Sequence, residues 1–107
     1  MSHIMESMEA CIETCQACAK ECNECASACI GMEGMENCIK TCIDCAEICN
    51  TCGNLCARDS QFHGQYLALC ADVCETCARE CAKHDHDHCV KCAEACRKCA
   101  EECRAAA

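Results

Sequence analysis

Residues 11–30 read CIETCQACAKECNECASACI. A cysteine recurs at steps of four, three, four, three and four. That alternation averages 3.5 residues, the period of a heptad's a/d seam, so all these thiols fall on one stripe of one helix. A strand would show period 2. Thiols thus occupy the positions where a bundle helix ordinarily buries leucine.

The same alternation runs through four segments. Cys11, Cys15, Cys18, Cys22, Cys25 and Cys29 form the first, and Cys38, Cys42, Cys45, Cys49, Cys52 and Cys56 the second. Cys70, Cys74, Cys77 and Cys81 form the third, and Cys89, Cys92, Cys96, Cys99 and Cys103 the fourth. The positions between are mostly Ala, Glu, Lys, Asn and Thr, the composition expected of a solvated helix face. Breaks fall where helices should end. Gly31 and Gly34 bracket the first connection, Arg58-Asp59-Ser60 makes the second, and the HDHDH run at 84–88 makes the third. Asp59 or Ser60 is the expected N-cap of the third helix, and Asp85 or Asp87 that of the fourth. The pattern predicts helices over 5–30, 35–57, 61–83 and 87–104. Short connections make successive helices antiparallel. The expected fold is all-α, an antiparallel up-down-up-down four-helix bundle with a cysteine-lined core, in one domain spanning 1–107. Gly53 lies inside the second helix, where it costs about 1 kcal/mol against Ala; close helix contact is one reason for it.

Composition excludes several function classes. The chain has 107 residues, 21 cysteines, no proline or tryptophan, and a formal net charge of −9. Phe62 and Tyr66 are its only aromatics apart from histidine. Negative charge repels phosphate backbones, and two aromatics make no base-stacking platform, so no nucleic-acid partner is expected. No apolar run approaches the roughly 20 residues of a membrane span. The start, MSHIMESMEA, lacks the basic and apolar regions of a secretory leader, so a cytoplasmic protein with reduced thiols is expected. An odd cysteine count and helical spacing argue against a disulfide scaffold.

One or two free cysteines in a core are ordinary small hydrophobes. A whole seam is different. Leucine contributes about 1.5–3 kcal/mol when fully buried, and thiols forfeit much of that. Stability does not explain the choice, so the thiols are read as metal ligands. Soft thiolates select Cu(I), zinc and iron–sulfur clusters. Four thiolates around Zn²⁺ leave two net negative charges, which is costly when repeated in a narrow core. Bacterial ferredoxins use C-x₂-C-x₂-C with a Pro-linked cysteine, and neither feature occurs here. Cu(I) fits better. The chain has ten C-x-x-x-C pairs, and each sets two thiols on one helix face. Two sulfurs on a linear two-coordinate metal stand about 4.5 Å apart. Pairs across helices add further sites. Bridging thiolates at one ion per sulfur give a capacity on the order of 20 Cu(I). Each Cu⁺ replaces one thiol proton, so core charge does not change and an already helical empty bundle is expected.

The two ends differ. One gathers Met32, Met35, His84, His86 and His88, thioether and imidazole donors suited to admitting copper. His84 continues the third seam most directly; a solvated capping turn is the alternative reading of HDHDH. The other end gathers Ile4, Met8, His63 and Leu67, largely an apolar plug. His3 lies near the terminus and is read as uninvolved. A second stripe, Phe62, Tyr66, Leu69 and Val73, lies off the thiol seam of the third helix. It reads either as an association surface or as packing against a neighbouring helix.

The alternating C-x-x-x-C and C-x-x-C seam, LCADVCETC at 69–77 and KHDHDHC at 83–89 resemble the four-helix-bundle copper storage proteins, in particular their cytosolic bacterial branch. The resemblance covers nearly the whole chain. It implies a homotetramer of bundles filled with thiolate-held Cu(I), and storage or detoxification without catalysis. Delivery by a copper chaperone belongs to the same expectation. General sequestration of zinc or cadmium and a redox or enzymatic role are the competing classes. No nucleophile–base pair, phosphate loop or Rossmann glycine pattern supports the latter.

Overall fold

The computed structural model describes the backbone of residues 3–107 and side chains from Met8 onward. The readings of His3 and Ile4 concern side chains outside the described residues. Four helices follow one another: α1 (His3–Cys29), α2 (Glu36–Ala57), α3 (His63–Cys81) and α4 (Asp87–Ala106). Each boundary lies within two residues of the one read from the sequence. The helices form a ring in chain order, with α4 closing on α1, and the bundle measures 47 × 18 × 17 Å. This is the expected antiparallel four-helix architecture.

The helix ends are made differently from the sequence reading. Gly31 and Gly34 do take the left-handed backbone of a turn, at φ 86° and 77°. Asp59, however, caps no third helix. It takes φ 51° as the left-handed residue that ends α2. The Asp59 amide donates to the Cys56 carbonyl at 3.1 Å, and the Ser60 amide to Leu55 at 3.0 Å, the double bond of a Schellman motif. The short polar side chain of Asp tolerates that conformation better than most. Ser60 also accepts from the Phe62 amide through its Oγ at 3.1 Å, one turn ahead of α3. Phe62 and His86 stand at the N-caps of α3 and α4, and neither makes a side-chain capping bond. Asp85 and Asp87 are not caps; Asp87 is the first residue of α4, where its charge suits the helix dipole.

Packing is set by two rows, not one. Every cysteine is buried. So is the residue that follows most of the cysteines opening a C-x-x-x-C pair: Ala19, Ala26, Ala46, Gly53, Ala71, Ala78, Ala93 and Ala100. Ile12 and Ile39 take the same place near the two ends of the column and pack against it half-buried. The alanines assigned to the solvated face therefore belong in part to the helix contacts. Small residues beside the seam let the helices approach closely enough for thiols to meet. Even diagonal helices touch through sulfur: α2 and α4 meet at Cys42–Cys92, 3.8 Å, and Cys45–Cys96, 4.0 Å.

Gly53 stands where the other repeats carry alanine. A methyl group added there would lie 3.6 Å from Cys15 Cβ and 4.0 Å from the Ile12 carbonyl oxygen, ordinary contact distances. Gly53→Ala is thus expected to stabilise the empty protein by about 0.5–1 kcal/mol through helix propensity. Chemical denaturation followed by far-UV circular dichroism checks it; a destabilised variant would show that α1 and α2 need the gap.

Candidate metal centre

The thiols line one column along the bundle axis. On the α1–α4 side it runs through Cys11–Cys103 (3.5 Å), Cys15–Cys99 (3.7 Å), Cys18–Cys96 (3.6 Å), Cys22–Cys92 (3.6 Å) and Cys25–Cys89 (3.9 Å). On the α2–α3 side it runs through Cys49–Cys70 (3.9 Å), Cys45–Cys74 (3.8 Å), Cys42–Cys77 (3.9 Å) and Cys38–Cys81 (3.9 Å). All 21 thiols are free of disulfides.

Intrahelical pairs are closer than a linear two-coordinate ion wants. Cys11–Cys15 stands at 4.0 Å, and Cys18–Cys22, Cys45–Cys49 and Cys99–Cys103 at 3.9 Å. The shortest cross-helix contacts, at 3.5–3.7 Å, are closer still, and together with the intrahelical pairs they close triangles. Cys18, Cys22 and Cys96 are separated by 3.9, 3.6 and 3.7 Å. Cys45, Cys49 and Cys74 are separated by 3.9, 3.8 and 3.5 Å. The centre of such a triangle is about 2.2 Å from each sulfur, close to a metal–thiolate bond of about 2.3 Å. Three-thiolate holes spanning two helices are therefore preformed. Linear sites inside one helix need a spread of about 0.5 Å. Four-sulfur groups exist as well, but they share members. Cys18 and Cys45 belong both to a group with Cys49 and Cys74 and to one with Cys22 and Cys96. Shared donors suit bridged ions better than separate tetrahedral ones.

Burial favours the protonated form of thiols toward both ends of the column. Removal from water pushes Cys56 up to about 11 from an ordinary 9.0, and desolvation likewise raises Cys25, Cys38 and Cys89.

The donor-rich end is built by the two connections α1–α2 and α3–α4. Met35 is buried in the core and Met32 packs half-buried against it. His88 reaches the column: its Nε2 lies 3.3 Å from Cys29 Sγ. The exposed ring of His86 stacks on His88 with centroids 5.4 Å apart and planes 1° from parallel. His84 does not extend the third seam, because α3 ends at Cys81. Its Nε2 faces Glu80 Oε2 at 3.4 Å instead. Sequence reasoning passed over Glu80, the one buried charged side chain among the described residues. Removal from water works against its ionisation, but hydrogen bonds from Lys83, Asn37 and His84 hold its carboxyl below the usual range. At the opposite end Leu67 is fully buried, Met8 packs against the core, and His63 Nδ1 bonds the Ser60 carbonyl. Tyr66 and Val73 also pack on the core, whereas Phe62 (58%) and Leu69 (45%) stay exposed. The second stripe thus divides between the two readings.

A disulfide-free helical bundle with a column of buried thiols defines a class of soft-metal-binding proteins. A family model described as Csp, copper storage protein, matches residues 4–107. The chain belongs to that family. Among solved structures it is 50% identical to apo copper storage protein 3 from Bacillus subtilis, with 92% of this chain and 98% of that one covered, at a TM-score of 0.87. It is 46% identical to the Cu(I)-bound copper storage protein BsCsp3, covering 94% and 98%, at 0.90. A cytosolic copper storage protein from Streptomyces lividans, carrying five coppers, is 38% identical over 96% and 93%, at 0.92. A search of curated proteins found no match. Among the described residues no helix is long and apolar enough to cross a membrane.

The raised thiols give the empty protein a direction with pH. Their folded-state values lie above the unfolded ones, so their contribution is fully present below about pH 9 and is lost as pH rises through the folded values. A thiol moved from 9.0 to about 11 accounts for about 3 kcal/mol of that loss. Thermal melts of the reduced, metal-free chain are expected to hold steady from pH 6 to 8 and then fall steeply toward pH 11. A midpoint that does not move across that range contradicts the burial argument.

Proposed function

We propose that this chain stores Cu(I) in the cytoplasm, holding on the order of 20 ions on the thiolates of its column, from Cys11 to Cys103. One observation carries the reading: all 21 cysteines are buried and unpaired by disulfides, and they line the core of a single bundle. Family membership supports the same reading, as do relatives described as Cu(I)-bound or copper-loaded. The role is storage, not catalysis. The cargo is bound by exchange for protons and nothing is turned over. Residues 1–107 act as one domain, and the family resemblance supports a homotetramer, for which exposed Phe62 and Leu69 offer apolar surface. Cytoplasmic placement agrees with the relative described as cytosolic, and a copper chaperone is the proposed donor of the ion.

Copper is admitted at the end formed by Met32, Met35, His84, His86 and His88. Thioether and neutral imidazole bind Cu(I) without a charge of their own, so an ion can pass through them to thiolates that hold it more tightly. His88 is the best placed, being already in contact with Cys29.

Anaerobic titration of the reduced chain with Cu(I) is expected to reach about 20 ions, with about one proton released per ion at pH 7 in weak buffer. Zn²⁺ is expected to saturate at a few. Saturation with two or three Cu(I) would end the storage reading. Replacing Met32 and Met35 with Leu and the three histidines with Ala is expected to slow uptake from a chromophoric Cu(I) chelate several-fold. Unchanged uptake would place the point of admission elsewhere.

A further inference from the structure

Glu80 has no place in the thiol column, yet it is the buried charge at its donor-rich end. Its Oε1 accepts hydrogen bonds from Asn37 Nδ2 at 2.6 Å and from Lys83 Nζ at 3.1 Å, and its Oε2 lies 3.4 Å from His84 Nε2. Those partners come from the start of α2, the turn after α3 and the connection to α4. Asn37 immediately precedes Cys38, and Glu80 immediately precedes Cys81. The two sulfurs are themselves 3.9 Å apart. The carboxylate–amide bond therefore runs beside the last thiol pair of the α2–α3 wall. A different contact closes the α1–α4 wall, Cys29 Sγ against His88 Nε2 at 3.3 Å. One wall ends in a polar bond between non-ligands and the other in two soft donors.

We propose that Glu80 is a positioning residue: by binding Asn37 and His84 it clasps the α2–α3 side of the donor-rich end, so that Cu(I) is admitted on the opposite side, past His88 and Cys29. The inference rests on the storage reading and adds a route to it. Burying a carboxylate costs free energy that an apolar residue at position 80 would avoid, so packing alone does not account for it. A charge-assisted network of short bonds fixes geometry instead. Here it holds the His84 ring against an oxygen and away from the thiols, and it keeps Cys38 and Cys81 fully covered.

Stopped-flow uptake of Cu(I) from a chromophoric chelate, under anaerobic conditions at pH 7, tests the route. Glu80→Ala and Asn37→Ala are expected to speed uptake several-fold at unchanged final capacity, because the Cys38–Cys81 wall opens. Glu80→Gln, whose carbonyl oxygen still accepts from Asn37, is expected to stay within about twofold of the parent. The coupling decides between route and mere stability. His88→Ala is expected to slow the parent several-fold but the Glu80→Ala chain less than twofold, since a second way in exists there. Equal slowing in both backgrounds overturns the proposal, as does parental uptake by helical Glu80→Ala and Asn37→Ala chains. Should Glu80→Ala fail to fold, Asn37→Ala, at an exposed position, carries the same test alone and with His88→Ala. A parent chain that saturates at two or three Cu(I) overturns the storage reading and this inference with it, whereas normal capacity with unaltered rates overturns this inference only.

Discussion

Contact between sulfurs across a bundle requires helices that lie close together, and the rest of the structure answers that requirement. A leucine seam would hold the helices apart and fill the space between them. A thiol seam is short, so the neighbouring positions must be short too. Ala19, Ala46, Ala71, Ala93 and Ala100 meet that need, each with at most 3% of its surface exposed. The resulting bundle is only 18 × 17 Å across its two short axes. Less apolar area is buried per residue than in a leucine core. Helix propensity, from alanine above all, therefore contributes a larger share of the stability than it would in an ordinary bundle.

Electrostatics sets the second constraint. A narrow core with little water cannot hold many like charges. Protonated thiols are neutral, and a thiolate carrying Cu⁺ is neutral again, so the column is compatible with every degree of filling. Divalent ions break that balance wherever each takes four thiolates. Shared corners strengthen the distinction. Cys18 and Cys45 belong to more than one group of four, so closed tetrahedral sites compete for the same sulfurs. Bridged monovalent ions do not compete in that way.

Much of this was legible in the sequence because period 3.5 is a strong signal when one residue type carries it. Helix number, order and boundaries and the buried face all follow from where the cysteines fall. Less legible was whatever depends on the third dimension. The alanine row hides behind a residue that is equally at home on a solvated face, although its fixed place after each pair-opening cysteine is visible once sought. Asp59 reads as an N-cap by composition, but a left-handed C-terminal position accepts the same side chain, and the Schellman bonds to Cys56 and Leu55 decide between them. His84 lies one helical step beyond Cys81 on paper. The end of α3 and the pull of Glu80 turn it aside, leaving contact with the thiols to His88. Glu80 itself carries no sequence signal, since an acidic residue between two seam cysteines is the common case in this chain.

Topology separates capacity from admission. In an up-down-up-down bundle the α1–α2 and α3–α4 connections lie at one end, and the termini and the α2–α3 connection at the other. Helix length fixes how many thiols the column holds, because each heptad adds two. The connections fix what an arriving ion meets. Met32, Met35, His86 and His88 belong to, or border, the two connections of one end, whereas Leu67 and Met8 close the other from within helices. Loops tolerate change better than packed helices do. The donors at the mouth can therefore be altered without disturbing the register on which sulfur contact depends, and the column can be lengthened without altering the mouth. Admission at one end, as proposed above, would give filling a direction: ions taken up near Cys29 would be passed inward from thiolate to thiolate. Within the group Cys18, Cys22, Cys92 and Cys96, and within the group Cys11, Cys15, Cys99 and Cys103, contacts of 3.5–4.0 Å are short enough for two sulfurs to share one ion during a step.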